Sequence, residues 1–259
     1  MPAPVVMVHG AFCGGWVFDD FRVPFEAAGH QVLCPDLRGH GADEPPQSVA
    51  GVSMSDFAQD IMAFCAGLDE PPILLGHSMG GLVAQLAARR TPLAALVLLA
   101  PSAPWGVTGS TVEEAVTAMG LQALGPFWFH AIPPDVGLMV NYSLDRMPKG
   151  ERRPVLERLR PESGRAVWET LNWWMDPMMT TSVGLRTPSA PALALVGERD
   201  VVHPPATVKQ TAQRIGAEFL VLPGMSHWLP GEPGWQEVAE IVLGWLEGLE
   251  ASAPASSRR

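Results

Sequence analysis

Ser78 lies in the pentapeptide Gly76-His77-Ser78-Met79-Gly80, followed by a further Gly81. An apolar run, Pro72 to Leu75, leads into it, and a small-residue helical pattern, Leu82 to Ala88, leaves it. That order puts one serine on a tight turn between a strand and a helix. Glycines on either side let the backbone bend where a Cβ would clash. The hydroxyl is pushed clear of the sheet, and the helix N-terminus aims free N–H groups at whatever Ser78 attacks. The chemistry suited to such a serine is nucleophilic attack on a carbonyl carbon. It requires a base to take the hydroxyl proton and an acid to orient the base and stabilise its charged form. The pentapeptide alone is unspecific, so the surrounding elements carry the weight.

Those elements alternate. Val5 to Val8 is a strand-like run, followed by a glycine-rich loop and a helical pattern from Phe18 to Ala28. Gln31 to Cys34 is the next run, then a helix from Ser55 to Leu68 with Ser53 or Ser55 able to cap it. Ile73 to Leu75 enters the serine turn, and Leu96 to Leu99 follows its helix. Strands alternating with helices imply parallel pairing, and runs apolar at every position imply burial on both faces. The rhythm stops after Pro101. From Trp105 to Arg186 no strand-like run occurs; there are helical pieces at Val112–Ala123 and Val155–Leu159, repeated prolines and many bulky side chains. Strands resume at Ala192–Val196 and Phe219–Leu222, and a last helix runs from Gln236 to Leu249. The expected organisation is a core of residues 1–104 and 187–250, a helical cap of 105–186 inserted after the fourth strand, and a flexible tail, 251–259. No internal repeat is visible.

In this context the chain resembles the α/β-hydrolase superfamily over nearly its whole length. The fold implied is a mostly parallel sheet flanked by helices. Six to seven strands are expected, not eight, because the chain enters directly on Val5 to Val8. The segment His9-Gly10-Ala11-Phe12-Cys13-Gly14-Gly15-Trp16, with Gly29-His30 and Asp36-Leu37, resembles the plant methylesterase and hydroxynitrile lyase group and its bacterial relatives. Asp36-Leu37-Arg38-Gly39-His40-Gly41 resembles a loop of bacterial esterases and haloperoxidase-like hydrolases. In this family serine, acid and histidine follow in that order, each on a loop after a core strand. The resemblance therefore implies Ser78 as nucleophile, Asp200 as acid and His227 as base. Asp200 fits the position after a strand better than Glu198, two residues before it, or Asp176 in the insertion. The oxyanion hole implied is the backbone N–H of Met79 with that of Ala11, Phe12 being the alternative donor of the first loop. His9 reads as a brace of that loop, His77 as pointing away from Ser78, and His40 and His203 as loop residues whose spacing fits no zinc site.

Serine at the turn disfavours haloalkane dehalogenase and epoxide hydrolase chemistry, which resembling families perform with aspartate. Gly10 and Trp228 stand where hydroxynitrile lyases carry threonine and lysine. The activity implied is ester hydrolysis through an acyl-enzyme, with no metal and no organic cofactor. Lactone, thioester or carbon–carbon bond hydrolysis and perhydrolysis would use the same residues, and a non-catalytic small-ligand receptor could use the same fold. Phe12, Phe127, Trp128, Trp173, Trp174, Met178 and Trp228 are the expected pocket residues, and so many large, soft side chains suit short-to-medium acyl or aromatic esters.

Composition bounds the remaining possibilities. The 259 residues carry a net charge of −10 and are 47% hydrophobic, so the chain is globular and ill suited to nucleic acid or an anionic membrane surface. Three cysteines, Cys13, Cys34 and Cys65, cannot all pair and read as buried thiols. No signal peptide or membrane span is apparent, so a cytoplasmic protein acting on a small-molecule ester, as monomer or homodimer, is expected.

Overall fold

A computed structural model describes residues 2–109, 127–184 and 188–252. The strand β1 (Val5–Val8) opens a six-stranded parallel sheet, continued by β2 (Val32–Leu33), β3 (Ile73–His77) and β4 (Ala95–Leu99). Two later strands, β7 (Ala192–Gly197) and β8 (Glu218–Leu222), complete it in the order β2-β1-β3-β4-β7-β8. Parallel neighbours need crossovers. Among these are α2 (Met54–Ala66), α3 (Met79–Ala88) and α6 (Pro205–Ile215), with α7 (Trp235–Ser252) closing the chain.

Alternation along the strands sorts the core into two layers. Val6, Val8, Leu74, Leu96, Leu98, Ala194 and Val196 face Phe57, Leu82 and Val208 of α2, α3 and α6. Val5, Met7, Leu75, Val97, Leu99 and Leu195 face Phe18, Phe25, Val238 and Val242. Strands β1, β3, β4 and β7 are buried at every position, as their unbroken apolar runs require. The edge strand β8 instead alternates, with Leu220 39% exposed, because only one of its faces has a layer to pack against.

The structure differs from the sequence expectation at several ends. The helix expected over Phe18–Ala28 is a 3₁₀ turn, Gly15–Phe18, followed by a short α1 (Val23–Ala27). Pro24 is tolerated only in a helix's first turn, so the helix starts there. Ser53, not Ser55, caps α2, and the Ser53 N–H donates in return to the Asp56 carboxylate at 2.9 Å. The insertion between β4 and β7 holds two strands, β5 (Ala131–Ile132) and β6 (Glu162–Ser163), paired antiparallel. Two residues each are too few to leave a periodic signature. It also holds α4 (Lys149–Arg158) and α5 (Gly164–Leu171). The helical piece expected at Val112–Ala123 and the 186/187 boundary lie outside the described residues. The last helix continues to Ser252, into the expected tail, of which 253–259 also lie outside. Among the described residues no helix is long and apolar enough to cross a membrane.

Candidate active site

Strand order explains how distant residues meet. The chain steps from β1 outward to β2 and returns to β3 on the other side of β1. The loop after β1 therefore lies beside the turn after β3, with Val8 opposite Gly76. A crevice at such a reversal, outside the carboxyl ends of the strands, is where open α/β sheets bind ligands. Ser78 stands in this turn with φ 53° and ψ −122°, a region that costs a non-glycine residue strain. Its flanking glycines are sterically required. A Cβ on Gly80 would lie 2.3 Å from the carbonyl oxygens of Val8 and His9, and one on Gly76 would lie 2.4 Å from that of Gly80.

Asp200 follows β7 and His227 follows β8. Strand β8 is three places from β3, roughly 14 Å at the usual spacing. The loop after β8 crosses that distance and delivers His227 Nε2 to 3.1 Å from Ser78 Oγ, while His227 Nδ1 lies 2.9 Å from Asp200 Oδ2. All three side chains are buried. The second oxygen of Asp200 accepts the N–H groups of Val202 and His203, each at 2.8 Å. Burial opposes ionisation of Asp200, but His227, its hydrogen bond and His203 outweigh it and hold the carboxyl below its ordinary range. The other two carboxylates considered are engaged elsewhere. Glu198 accepts from Gly224 N–H, and Asp176 accepts from Met178 and Thr180 N–H.

The first loop presents two amides. His9 is buried, donating from Nδ1 to the Gly10 carbonyl and accepting Leu37 N–H at Nε2, so it spans two loops as the neutral tautomer. Burial, with the His40 charge, takes its pKa down to about 3. The Phe12 N–H donates to Glu162 at 3.2 Å. Among the described residues the Ala11 N–H has no acceptor. Met79 is the first residue of α3, where a helix leaves its N–H without an intrahelical partner.

Three further histidines are more involved than their loop or flanking positions suggested. His77 donates from Nε2 to the His227 carbonyl, 2.9 Å. His203 meets Ser102 Oγ at 2.9 Å and packs its ring on that of His227. His40 is buried against Glu162 of β6 at 3.0 Å. A histidine three residues after Asp200 is a positional signal for His203. Glu162 had none, since nothing in its neighbourhood marks a partner 122 residues away. Glu232 was missed likewise; it accepts Ser226 N–H, next to His227, at 2.8 Å.

The aromatic residues divide. Trp228 is buried against His77 and Trp16, and Trp16 lies under the Arg158 guanidinium. Trp128 packs between Phe127, Phe129 and Trp168, while Trp173 bridges Trp105 and Trp174. Phe12 is half-buried, Trp174 is exposed, and Met178 is 81% exposed. Cys13 and Cys65 are buried and Cys34 half-buried, all as free thiols. Burial raises each, Cys34 and Cys65 to about 11, so none is a thiolate at neutral pH. Among the described residues no group of three His, Cys, Asp or Glu could hold a metal ion.

The profile of the alpha/beta hydrolase family matches residues 5–241. The chain belongs to the alpha/beta hydrolase family. Within it, the chain is 27% identical to the mouse (Mus musculus) sn-1-specific diacylglycerol lipase ABHD11 over 257 residues, 95% of this chain and 81% of that one. It is 36% identical to salicylic acid-binding protein 2 of Nicotiana tabacum over 110 residues, 41% of this chain and 42% of that one. The monoacylglycerol lipase of Paleococcus ferrophilus superposes with a TM-score of 0.72 at 23% identity, over 95% of this chain and 96% of its own. At that identity the likeness speaks to the alpha/beta hydrolase fold.

Proposed function

We propose that this alpha/beta hydrolase is a serine esterase that cleaves carboxylic esters through an acyl-enzyme on Ser78. The observation that carries the reading is the unbroken chain from Ser78 Oγ through the His227 ring to Asp200, at 3.1 and 2.9 Å. His227 Nε2 takes the Ser78 proton as Oγ attacks the ester carbonyl, and Asp200 holds the ring as the Nδ1–H tautomer and stabilises its charged form. The oxyanion is received by Ala11 and Met79 N–H, each such donor lowering the barrier by about 2.7–4 kcal/mol. Ala11 takes this role over Phe12 because the Phe12 amide is committed to Glu162. His227 then protonates the leaving alcohol, and water repeats the sequence on the acyl-enzyme. No step calls on a metal or organic cofactor.

In this reading the described residues of the insertion, 105–109 and 127–184, act as a cap over the serine. Their tryptophans and methionines, with Phe12 and Trp228 below, favour apolar esters of short-to-medium acyl or aromatic acids. The similarity to a lipase over 95% of the chain supports ester substrates. A serine-directed fluorophosphonate followed by mass spectrometry tests the nucleophile, and a panel of p-nitrophenyl esters of increasing acyl length tests the reaction. An adduct on Ser78 together with turnover supports the reading. Absence of the adduct defeats it, and an adduct without turnover of any ester points to a ligand receptor.

A further inference from the structure

The insertion meets the core at the loop after β1. The Arg160 N–H donates to the Phe12 carbonyl at 2.8 Å, and the Phe12 N–H donates to the Glu162 carboxylate at 3.2 Å. Both backbone groups of one residue are thus held by a three-residue piece of the insertion. Phe12 needs this hold, because its φ of 65° is a left-handed conformation unfavourable to a residue with a Cβ. Glu162 is fully buried, and its three bonds go to Phe12 N–H, Ser163 N–H and His40 Nε2. His40 offers its other nitrogen, Nδ1, to the Arg38 carbonyl at 3.2 Å. With acceptors at both ring nitrogens, His40 carries two protons and a positive charge opposite Glu162. A buried carboxylate so compensated is a fixed point, not a mobile side chain.

Resting on the esterase reading above, we propose that Glu162 is the positioning residue of the oxyanion hole. It never touches substrate. By taking up the Phe12 amide it removes a competing donor and fixes the turn in which Ala11 presents its own N–H beside Ser78. The insertion thereby does more than cover the site: one of its carboxylates sets the geometry of a donor on the core. A hole aimed in advance stabilises the charge that develops in the transition state, so its loss is read in kcat and not in substrate binding.

Glu169 supplies the control. It is another buried carboxylate of the insertion, accepting Met54 N–H at 2.8 Å and Ser53 Oγ–H at 3.0 Å at the start of α2. It ties insertion to core without touching the oxyanion loop. Glu162→Gln and Glu169→Gln are compared in the full chain with the ester turned over fastest by the wild type. Glu162→Gln lowers kcat at least tenfold with KM within twofold. It also weakens inhibition by a trifluoromethyl ketone, whose adduct on Ser78 carries an oxyanion, by a similar factor. Glu169→Gln leaves both within twofold. Should Glu162→Gln fail to fold, Glu162→Asp carries the same test, since it keeps the charge facing His40 and withdraws it from an amide already 3.2 Å away. Equal kcat in the Glu162 variant and wild type, or equal losses in the Glu162 and Glu169 variants, overturns the proposal. Both outcomes are read against a wild type that labels at Ser78, so they are distinct from a failure of the esterase reading, in which the wild type itself takes no label.

Discussion

His77 and His227 are joined by a 2.9 Å hydrogen bond from the His77 ring to the His227 carbonyl. The residue before the proposed nucleophile thus grips the backbone of the proposed base, 150 positions later. Burial takes the His77 pKa down to about 3, so the ring is neutral, protonated on Nε2, and a constant donor. The bond fixes how far the loop after β8 reaches across the sheet. His77→Leu is expected to lower kcat about a hundredfold with little change in KM, the scale of a 1 Å misplacement of a reacting group. His77→Gln, which keeps an N–H donor, recovers part of it. Steady-state kinetics on one p-nitrophenyl ester decides, and unchanged kcat in His77→Leu would show that the loop holds itself.

Asp200→Asn is expected to leave the fold intact and cut kcat by about 10⁴. The amide oxygen can still accept the Val202 and His203 N–H groups that Asp200 Oδ1 accepts now. Its NH₂ then faces His227 and forces the other tautomer, with the proton on the nitrogen that must receive one from Ser78. Near-normal activity with a normal circular dichroism spectrum would mean that another carboxylate serves.

Ser78→Gly separates strain from chemistry. Release of the strain at φ 53° is worth about 1–3 kcal/mol, and the greater freedom of glycine in the unfolded chain returns about 0.4–1 kcal/mol of it. Ser78→Gly should therefore unfold in urea at about 1 kcal/mol higher free energy than Ser78→Ala, with activity absent from both. Equal stabilities would place the turn in a relaxed conformation.

Acid should destabilise the protein through buried neutral histidines. His9, His77 and His203 are each held near 3, burial being the first cause. Below pH 6.5 the unfolded chain binds protons that the native state refuses, so stability falls as pH drops from about 6.5 toward 3, at about 1.4 kcal/mol per pH unit for each such group. The depressed carboxyl of Asp200 acts in the same direction at lower pH. Thermal melts from pH 7.5 to 4.5 check this, and a flat Tm across that range would contradict it.

Glu232 has the opposite sign. Burial, then the Asp145 charge, raises its pKa to about 7. The unfolded chain releases this proton from about pH 4.5 upward while the native state keeps it, so this group costs increasing stability as pH rises to about 7. Glu232→Gln keeps an acceptor for Ser226 N–H and removes the charge. Its Tm relative to wild type should rise between pH 5 and pH 8, and a pH-independent difference would rule out the shifted titration.

The order and type of the strands of the main sheet could be read directly from the sequence. Fully apolar runs at Val5–Val8, Ile73–Leu75, Leu96–Leu99 and Ala192–Val196 admit burial on two faces and little else. The glycines around Ser78 admit a side-chain-free crossing of strand and helix. These are local properties, written within a few residues of where they act. Helix ends were less legible, as at Gly15–Ala27, because a proline and a 3₁₀ turn divide a single periodic stretch. Which carboxylate faces His227, which amide of the first loop is free, and what His40 and His203 do were decided only by tertiary structure. Each depends on a partner 27 to 150 residues away, brought near by strand order and by the path of the insertion. The Glu162–His40 pair is the clearest case. Two ordinary residues become a buried ion pair because the fold closes a space in which neither could stay charged without the other.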